Sequence, residues 1–286
     1  VASSSTLDSH RLAVLAEHID TQSWIDQHAA QPPHVRQGLA MASQWEHGLA
    51  MVRGAVPFSH FNMVLTLGCP AVVNGGAFKA IDAFYAGAPA GRHWVLVNEH
   101  SQPANLANQL QARGYTSDGA WDRVVMIGAQ PERWAALASG CEEVDRDNQA
   151  EWSEFIRSTY GMPALIVEAL QALVGRIGWV HMLRREGGRP GARVVVARSL
   201  FMNASGWAWL GIDAPVPGLM APTFLDDRHV CAALLMAAAR AGAHSFVSDV
   251  EAIDDLRAGP AYRSWTDLGF EPVYRRRLFV RDNPPR

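Results

Sequence analysis

The sequence predicts an α/β protein, with α+β-like mixed sheets, built as two successive halves. Three observations carry this expectation. Compact apolar strands alternate with helical stretches along the whole chain, as in "HWVLVNE" at residues 93–99. The order strand, helix, "RGY", strand in the first half is echoed by "SFVSDVE", helix, "LGF", strand in the second. Finally, 286 residues with 49% apolar and 19% charged content suffice for two ordinary cores. A boundary near Ser139 divides the chain into residues 1–139 and 140–286, the second copy being the fuller.

In order, Leu12, Leu15, Ile19 and Trp24 recur at near-helical spacing after a loose terminus. Residues 32–55 mix helical and extended character. "HFNMVLTLGC" reads as a strand closed by Gly68 and Pro70, and "GAFKAIDAFYAGAPAG" as a helix ended by glycines. "HWVLVNE" is apolar on both faces, as in a sheet covered on both sides. A helix in "QPANLANQLQARGY" leads to the strand "AWDRVVMIGA", and "QPERWAALASG" reads as a connector. Beyond it come a short strand at "CEEVD" and helices in "QAEWSEFIRSTYGM" and "ALIVEALQALVG". Strands follow in "WVHMLRREGG", "ARVVVARSLFMNASG" and "WAWLGID". A helix over residues 224–244, the strand "SFVSDVE", a helix in "AYRSWTDLGF" and a last strand in "EPVYRRRLFV" complete the chain.

Composition excludes several classes. A net charge of −3 gives nucleic acid no electrostatic handle. Cys69, Cys141 and Cys231 are too scattered for a disulfide framework or a zinc site, so a reducing cytoplasm is expected and no metal. "VASSSTLDSH" lacks a signal-peptide core, and no apolar run nears the roughly 20 residues of a bilayer span.

Four segments carry a family resemblance: "GRPGARVVVARSLF", "WAWLG", "AALLMAAARAGAHSFVSDVE" and "PAYRSWTDLGFEPVYRR". In that order they resemble the late portion of a GNAT-superfamily N-acetyltransferase domain, from Cys141 to Val280. The first half resembles a reduced copy, as in tandem members. The resemblance implies two GNAT-like domains and acetyl-CoA, or another acyl-CoA, as co-substrate. It places that molecule where "WAWLGID" and "SFVSDVE" splay apart, with the first domain as a wall. It also implies a pyrophosphate turn of pattern Arg/Gln-x-x-Gly-x-Gly/Ala, where bare N–H groups and the helix dipole favour an anion. Those six positions fall on Asp226 to Cys231, so Asp226 replaces the basic or amide residue and His229 the glycine. Gly211, Ile212, Arg228, His229, Val230, Cys231 and Trp265 are the cofactor-binding positions so implied. The two acids are of the wrong sign for a pyrophosphate; capping the helix is their ordinary role. The Pro-rich link before them, residues 214–223, would lie over the cleft.

For chemistry, an attacking amine needs a base. Asp213 ends "WAWLGID", on a face shared with Trp207, Trp209 and Gly211, while Asp249 and Glu251 share a face of "SFVSDVE". Family members carry a tyrosine acid where this chain has Trp265. Tyr262, one helical turn earlier, could substitute, and packing is the commoner role for both. Asp213, Asp249 and Tyr262 are thus the catalytic candidates, with Tyr160 and Glu251 on the substrate side. His181 reads as a hydrogen-bonded core histidine, and Arg275 to Arg277 as a solvated edge. The expected activity is direct acyl transfer to a small-molecule amine; the alternative is a GNAT-fold module that binds a ligand or partner without transfer. Neither nucleic acid nor membrane is expected as a partner, and self-association is left open.

Overall fold

The computed structural model describes residues 8–46, 48–69, 71–216, 224–252 and 257–283. The chain begins with α1 (Ser9–Ala30) and α2 (Pro33–Gly38), then the hairpin β1 (Ala42–Glu46) and β2 (Leu49–Arg53). Next come β3 (Met63–Val64), α3 (Gly75–Tyr85), β4 (Arg92–Asn98), α4 (Leu106–Gln111) and β5 (Thr116–Ile127). The later part holds α5 (Pro131–Ala135), β6 (Cys141–Glu143), α6 (Gln149–Tyr160), α7 (Leu165–Gln171), β7 (Trp179–Arg185), β8 (Val194–Met202) and β9 (Trp207–Ala214). It closes with α8 (Leu225–Arg240), β10 (Ser245–Glu251), α9 (Pro260–Leu268) and β11 (Glu271–Asp282). The mixed α/β class read from the sequence is the observed one.

Two compact units result. One comprises residues 1–25, 40–121 and 274–286; the other comprises 26–39 and 122–273. The position 139/140 therefore lies inside the second unit, because each half gives its last strand away. The end of β5 belongs to the second unit, beside β10, and most of β11 belongs to the first, beside β4.

In the first unit the order is β1-β2-β3-β4-β11, with β3 and β4 parallel and the other neighbours antiparallel. The strand expected over residues 60–69 shrinks to Met63–Val64, since Ser59–Phe61 turns as a 3-10 segment. Asn62 explains the shift: its side chain takes the Gly54 N–H and donates to the Val56 carbonyl, fixing a loop where a strand could have begun. Phe78, Ile81 and Tyr85 of α3 pack onto Leu49, Met51, Val64 and Val95 to form this unit's core.

The second unit has the order β5-β10-β9-β8-β7-β6. Alanines explain how α8 lies so close to it: Ala232, Ala233 and Ala238 are buried with Leu234 and Leu235 against β7 and β8. The expected connector at residues 130–140 contains α5, whose Trp134 is fully buried and donates from Nε1 to the Leu268 carbonyl at 2.9 Å. His181 is the packed histidine expected, bonded to Ser199 Oγ at 2.7 Å and stacked with Trp179. No helix among the described residues is long and apolar enough to cross a membrane.

Two buried histidines tie folding to pH. Burial lowers the pKa of His93 from 6.5 to about 4, against the opposing hydrogen bond to Asn283. Burial lowers that of His181 likewise, to about 4. Both rings are neutral when folded, and the unfolded chain takes up their protons first as pH falls. Their contribution is therefore complete above pH 6.5 and is lost between 6.5 and about 4. At about 1.4 kcal/mol per pKa unit, each histidine accounts for on the order of 3 kcal/mol of that loss. Urea unfolding across this window should show the decline, and His93→Gln should flatten part of it; an unchanged slope would assign the decline elsewhere.

Candidate functional site

The parallel strands β9 and β10 pair over only three rungs, Ser245–Trp207, Phe246–Ala208 and Val247–Trp209. Both strands continue past this point, to Ala214 and Glu251. Where the ladder stops, the Ser248 hydroxyl donates to the Leu210 carbonyl at 3.0 Å, supplying in a side chain what the backbone no longer gives. The strands thus part at the place where the resemblance put a co-substrate.

Beyond Leu210, β9 is bulged. Ala197 faces Ala214 while Ser199 faces Gly211, so Ile212 and Asp213 together oppose Arg198. Ile212 accommodates the extra residue in left-handed backbone, at φ 48°. The bulge breaks the alternation expected to carry from Trp207 to Asp213 and re-aims Asp213, whose Oδ2 accepts from Arg198 Nη2 at 2.9 Å. The Tyr160 hydroxyl donates to the Asp213 backbone carbonyl from α6. Burial raises the pKa of that hydroxyl, so Tyr160 acts here as a donor. Gly211 is required by its neighbour: a Cβ there would stand 1.9 Å from the Trp209 ring, which lies over it.

Arg198 gathers the rest. Its side chain, 5% exposed, ion-pairs with Asp213 and, through Nε at 3.3 Å, with Asp227 of α8. Nη1 donates to Cys231 Sγ at 3.3 Å, and the guanidinium lies over the Trp265 ring, 5.2 Å from its centroid. Burial raises the pKa of Asp227, against the pull of Arg198, and pushes the Cys231 thiol up strongly. Cys231 is therefore a protonated, sealed thiol.

Neither acid at the start of α8 caps the helix. Its N-cap position is Phe224, with no side-chain cap bond. Strand arginines attract the carboxylates instead: Asp226 takes Arg184 Nε at 2.7 Å, and Asp227 takes Arg198. Arg228 pairs with Asp267 of α9, and His229 Nδ1 donates to the Leu137 carbonyl after α5. Val230 and Trp265 lie in the apolar core, 0% and 6% exposed respectively.

The remaining candidates lie around β10. Asp249 is 3.4 Å from Arg123 Nε, whose side chain is fully buried on β5. Glu251 is exposed at the strand end. The Tyr262 hydroxyl donates to Asp122, a fully buried carboxylate that also pairs with Arg257 at 3.4 Å. Asp122, Arg123, Arg184 and Arg198 were missed by the sequence reading. Their only signal was charge inside otherwise apolar strands, "WDRVV", "MLRR" and "VVARS". Residues 217–223 of the Pro-rich link lie outside the described residues. Among those described, no three His, Cys, Asp or Glu residues converge as for a metal ion.

Arg198→Ala should be among the most destabilising single changes in the second unit. It leaves Asp227 buried without its counter-charge and empties the space beside Trp265, a loss of about 3–5 kcal/mol. Equilibrium urea unfolding measures this, and a cost near that of a surface substitution would remove Arg198 from its central place.

No known sequence family matches this chain, and no curated protein is detectably similar to it. Solved structures are. A GCN5-related N-acetyltransferase from Kribbella flavida is 15% identical over 93% of this chain and 95% of its own, with a TM-score of 0.55. A functionally unknown conserved protein from Staphylococcus epidermidis ATCC 12228 is 6% identical, over 89% of this chain and 99% of that one, with a TM-score of 0.53. The glucosamine N-acetyltransferase region of a fungal multi-domain GH3 β-N-acetylglucosaminidase matches 84% of this chain and 31% of that protein. Its identity is 9% and its TM-score 0.52. At such identities the likeness speaks for architecture alone, and the architecture is that of the GCN5-related N-acetyltransferase (GNAT) fold.

Proposed function

We propose that this protein is an acyl-CoA-dependent N-acetyltransferase that acts on a small amine by direct transfer at the parted ends of β9 and β10. The observation that carries this reading is the parting itself: three rungs, then two strands running on without a shared ladder. Acetyl-CoA, or another acyl-CoA, would supply the activated thioester.

The residues at the start of α8 fit such a molecule better than their sequence suggests. The first-turn N–H groups have no side-chain cap, and each acid is matched by an arginine rather than left to repel a phosphate. Among the described residues, Arg228 is held by a partly exposed pair, its side chain 26% and that of Asp267 55% accessible; such pairs are worth about 0–1 kcal/mol. A pyrophosphate could therefore take Arg228 from Asp267. Gly211 and Ile212 offer bulged backbone at the parting.

Asp213 and Asp249, on the parted stretches of β9 and β10, are the candidates for the base that frees the amine. Each is oriented by an arginine, so taking a proton means relaxing an ion pair. Tyr262 must likewise turn from Asp122 before giving its proton elsewhere. Glu251, exposed at the end of β10, suits attraction of an ammonium group.

A second reading is a GNAT-fold module that binds without transfer. It is favoured by the Trp209 ring lying over Gly211, and by Trp265 serving as core where an acid would be useful.

Calorimetric titration with acetyl-CoA and free CoA separates the two. Micromolar binding is expected, weakened about tenfold by Arg228→Ala through loss of a charge-assisted contact and not weakened by Asp267→Asn. No heat at millimolar ligand would overturn the transferase reading and leave the module.

A further inference from the structure

We propose that the Trp209 indole sets the length of the acyl group at the parted strands, admitting acetyl and excluding chains as long as hexanoyl. This rests on the acyl-CoA reading above and narrows it, since acetyl-CoA and other acyl-CoA molecules are equal under that reading. What separates them is a wall on one face of β9.

Trp209 stands on the sheet face opposite α8. Ala208 and Leu210 share a core with α8, so Trp207 and Trp209 alternate to the other side. The same face carries Phe201 of β8 and His181 of β7, whose ring lies 4.6 Å from that of Trp152 on α6. Three buried neighbours hem the indole in: Phe201 opposite it on β8, Val247 opposite it on β10, and Trp207 one pleat back along β9. Phe201 is itself backed by the Trp179 ring, 5.1 Å away. Forward along β9 stands Gly211, which has no side chain, and the indole lies there. Its six-membered ring comes within 1.9–2.5 Å of where a Cβ on that glycine would be.

That place is the near end of the parting. Val247–Trp209 is the last shared rung, so Gly211 belongs to the stretch of β9 that runs on without a ladder to β10. Just beyond it, the Tyr160 hydroxyl from α6 donates to the Asp213 carbonyl and closes the same region a second time. With the pyrophosphate at the start of α8, on the opposite face, an acyl chain that grows through the gap between the strands grows toward the indole. A ring held on three sides yields poorly, because interiors are close-packed and added methylenes displace what they touch. A short acyl group stops before this wall, and a long one runs into it.

Calorimetric titration of the intact chain with free CoA, acetyl-CoA and hexanoyl-CoA tests this with no acceptor present. The wild type should bind acetyl-CoA at least about tenfold more tightly than hexanoyl-CoA, the order of discrimination that methylenes produce at a fitted wall. Trp209→Ala should reverse the order, since each methylene newly buried in the vacated space gains roughly fourfold in affinity. If that variant fails to fold by circular dichroism, Trp209→Leu and the wild-type order decide. Hexanoyl-CoA bound as tightly as acetyl-CoA by the wild type, or an order unchanged in the folded variant, would overturn the limit at Trp209 and leave the transferase reading standing. Free CoA that does not bind at millimolar concentration would overturn that reading, and the limit with it.

Discussion

The second unit depends on one buried cation. Arg198 reaches from β8 to Asp213 on β9, to Asp227 and Cys231 on α8, and to the Trp265 face on α9. A guanidinium so placed has lost its water, and only close opposite charge can offset that loss. Two carboxylates are supplied for one cation, which leaves the cluster with an excess of negative charge. Arg198 therefore stays charged, its pKa raised by both acids against the opposing pull of burial. Asp227 bears the cost: burial comes first, with Asp213 adding to it, and both favour its neutral form.

That arrangement reverses the meaning of the α8 start. As sequence, Asp226-Asp227 at the head of a helix reads as two anions at an anion site. In the fold, both acids face arginines on neighbouring strands, and the matched charges cancel over short distances. The first-turn N–H groups keep their partial positive charge and have no side-chain cap. Arg228 turns the other way, to Asp267 of α9, whose side chain is mostly exposed.

How legible this was depended on the range of the interaction. Alternation and apolar runs depend on neighbours in sequence, so β4, β7, β8, β9 and β10 stood out from "HWVLVNE" onward. Helix α5 did not, because one residue, Trp134, anchors it, and its partner carbonyl is at Leu268, 134 positions away. The exchange of last strands between units leaves no local trace either. The charged partners were hidden for the same reason: Arg184 meets Asp226 across 42 positions, and Tyr262 meets Asp122 across 140. The bulge at Ile212 was concealed by an unbroken alternating pattern, since a single added residue changes the pairing without changing the composition.

The two units also show how differently a helix start can be capped. In α3, Asn74 folds back and takes two N–H groups, which satisfies the turn internally and removes its attraction for an anion. In α8 the residue at the same structural position is Phe224, whose side chain cannot accept a hydrogen bond, and arginines draw the nearby acids aside. Hydrogen bonds separate the two starts: in α3 the Asn74 Oδ1 satisfies the Gly76 and Ala77 N–H groups, whereas at α8 the acids that could cap the helix pair with Arg184 and Arg198 instead, so charge inside the neighbouring strands, and not the residue type at the helix start, decides which acid serves as a cap.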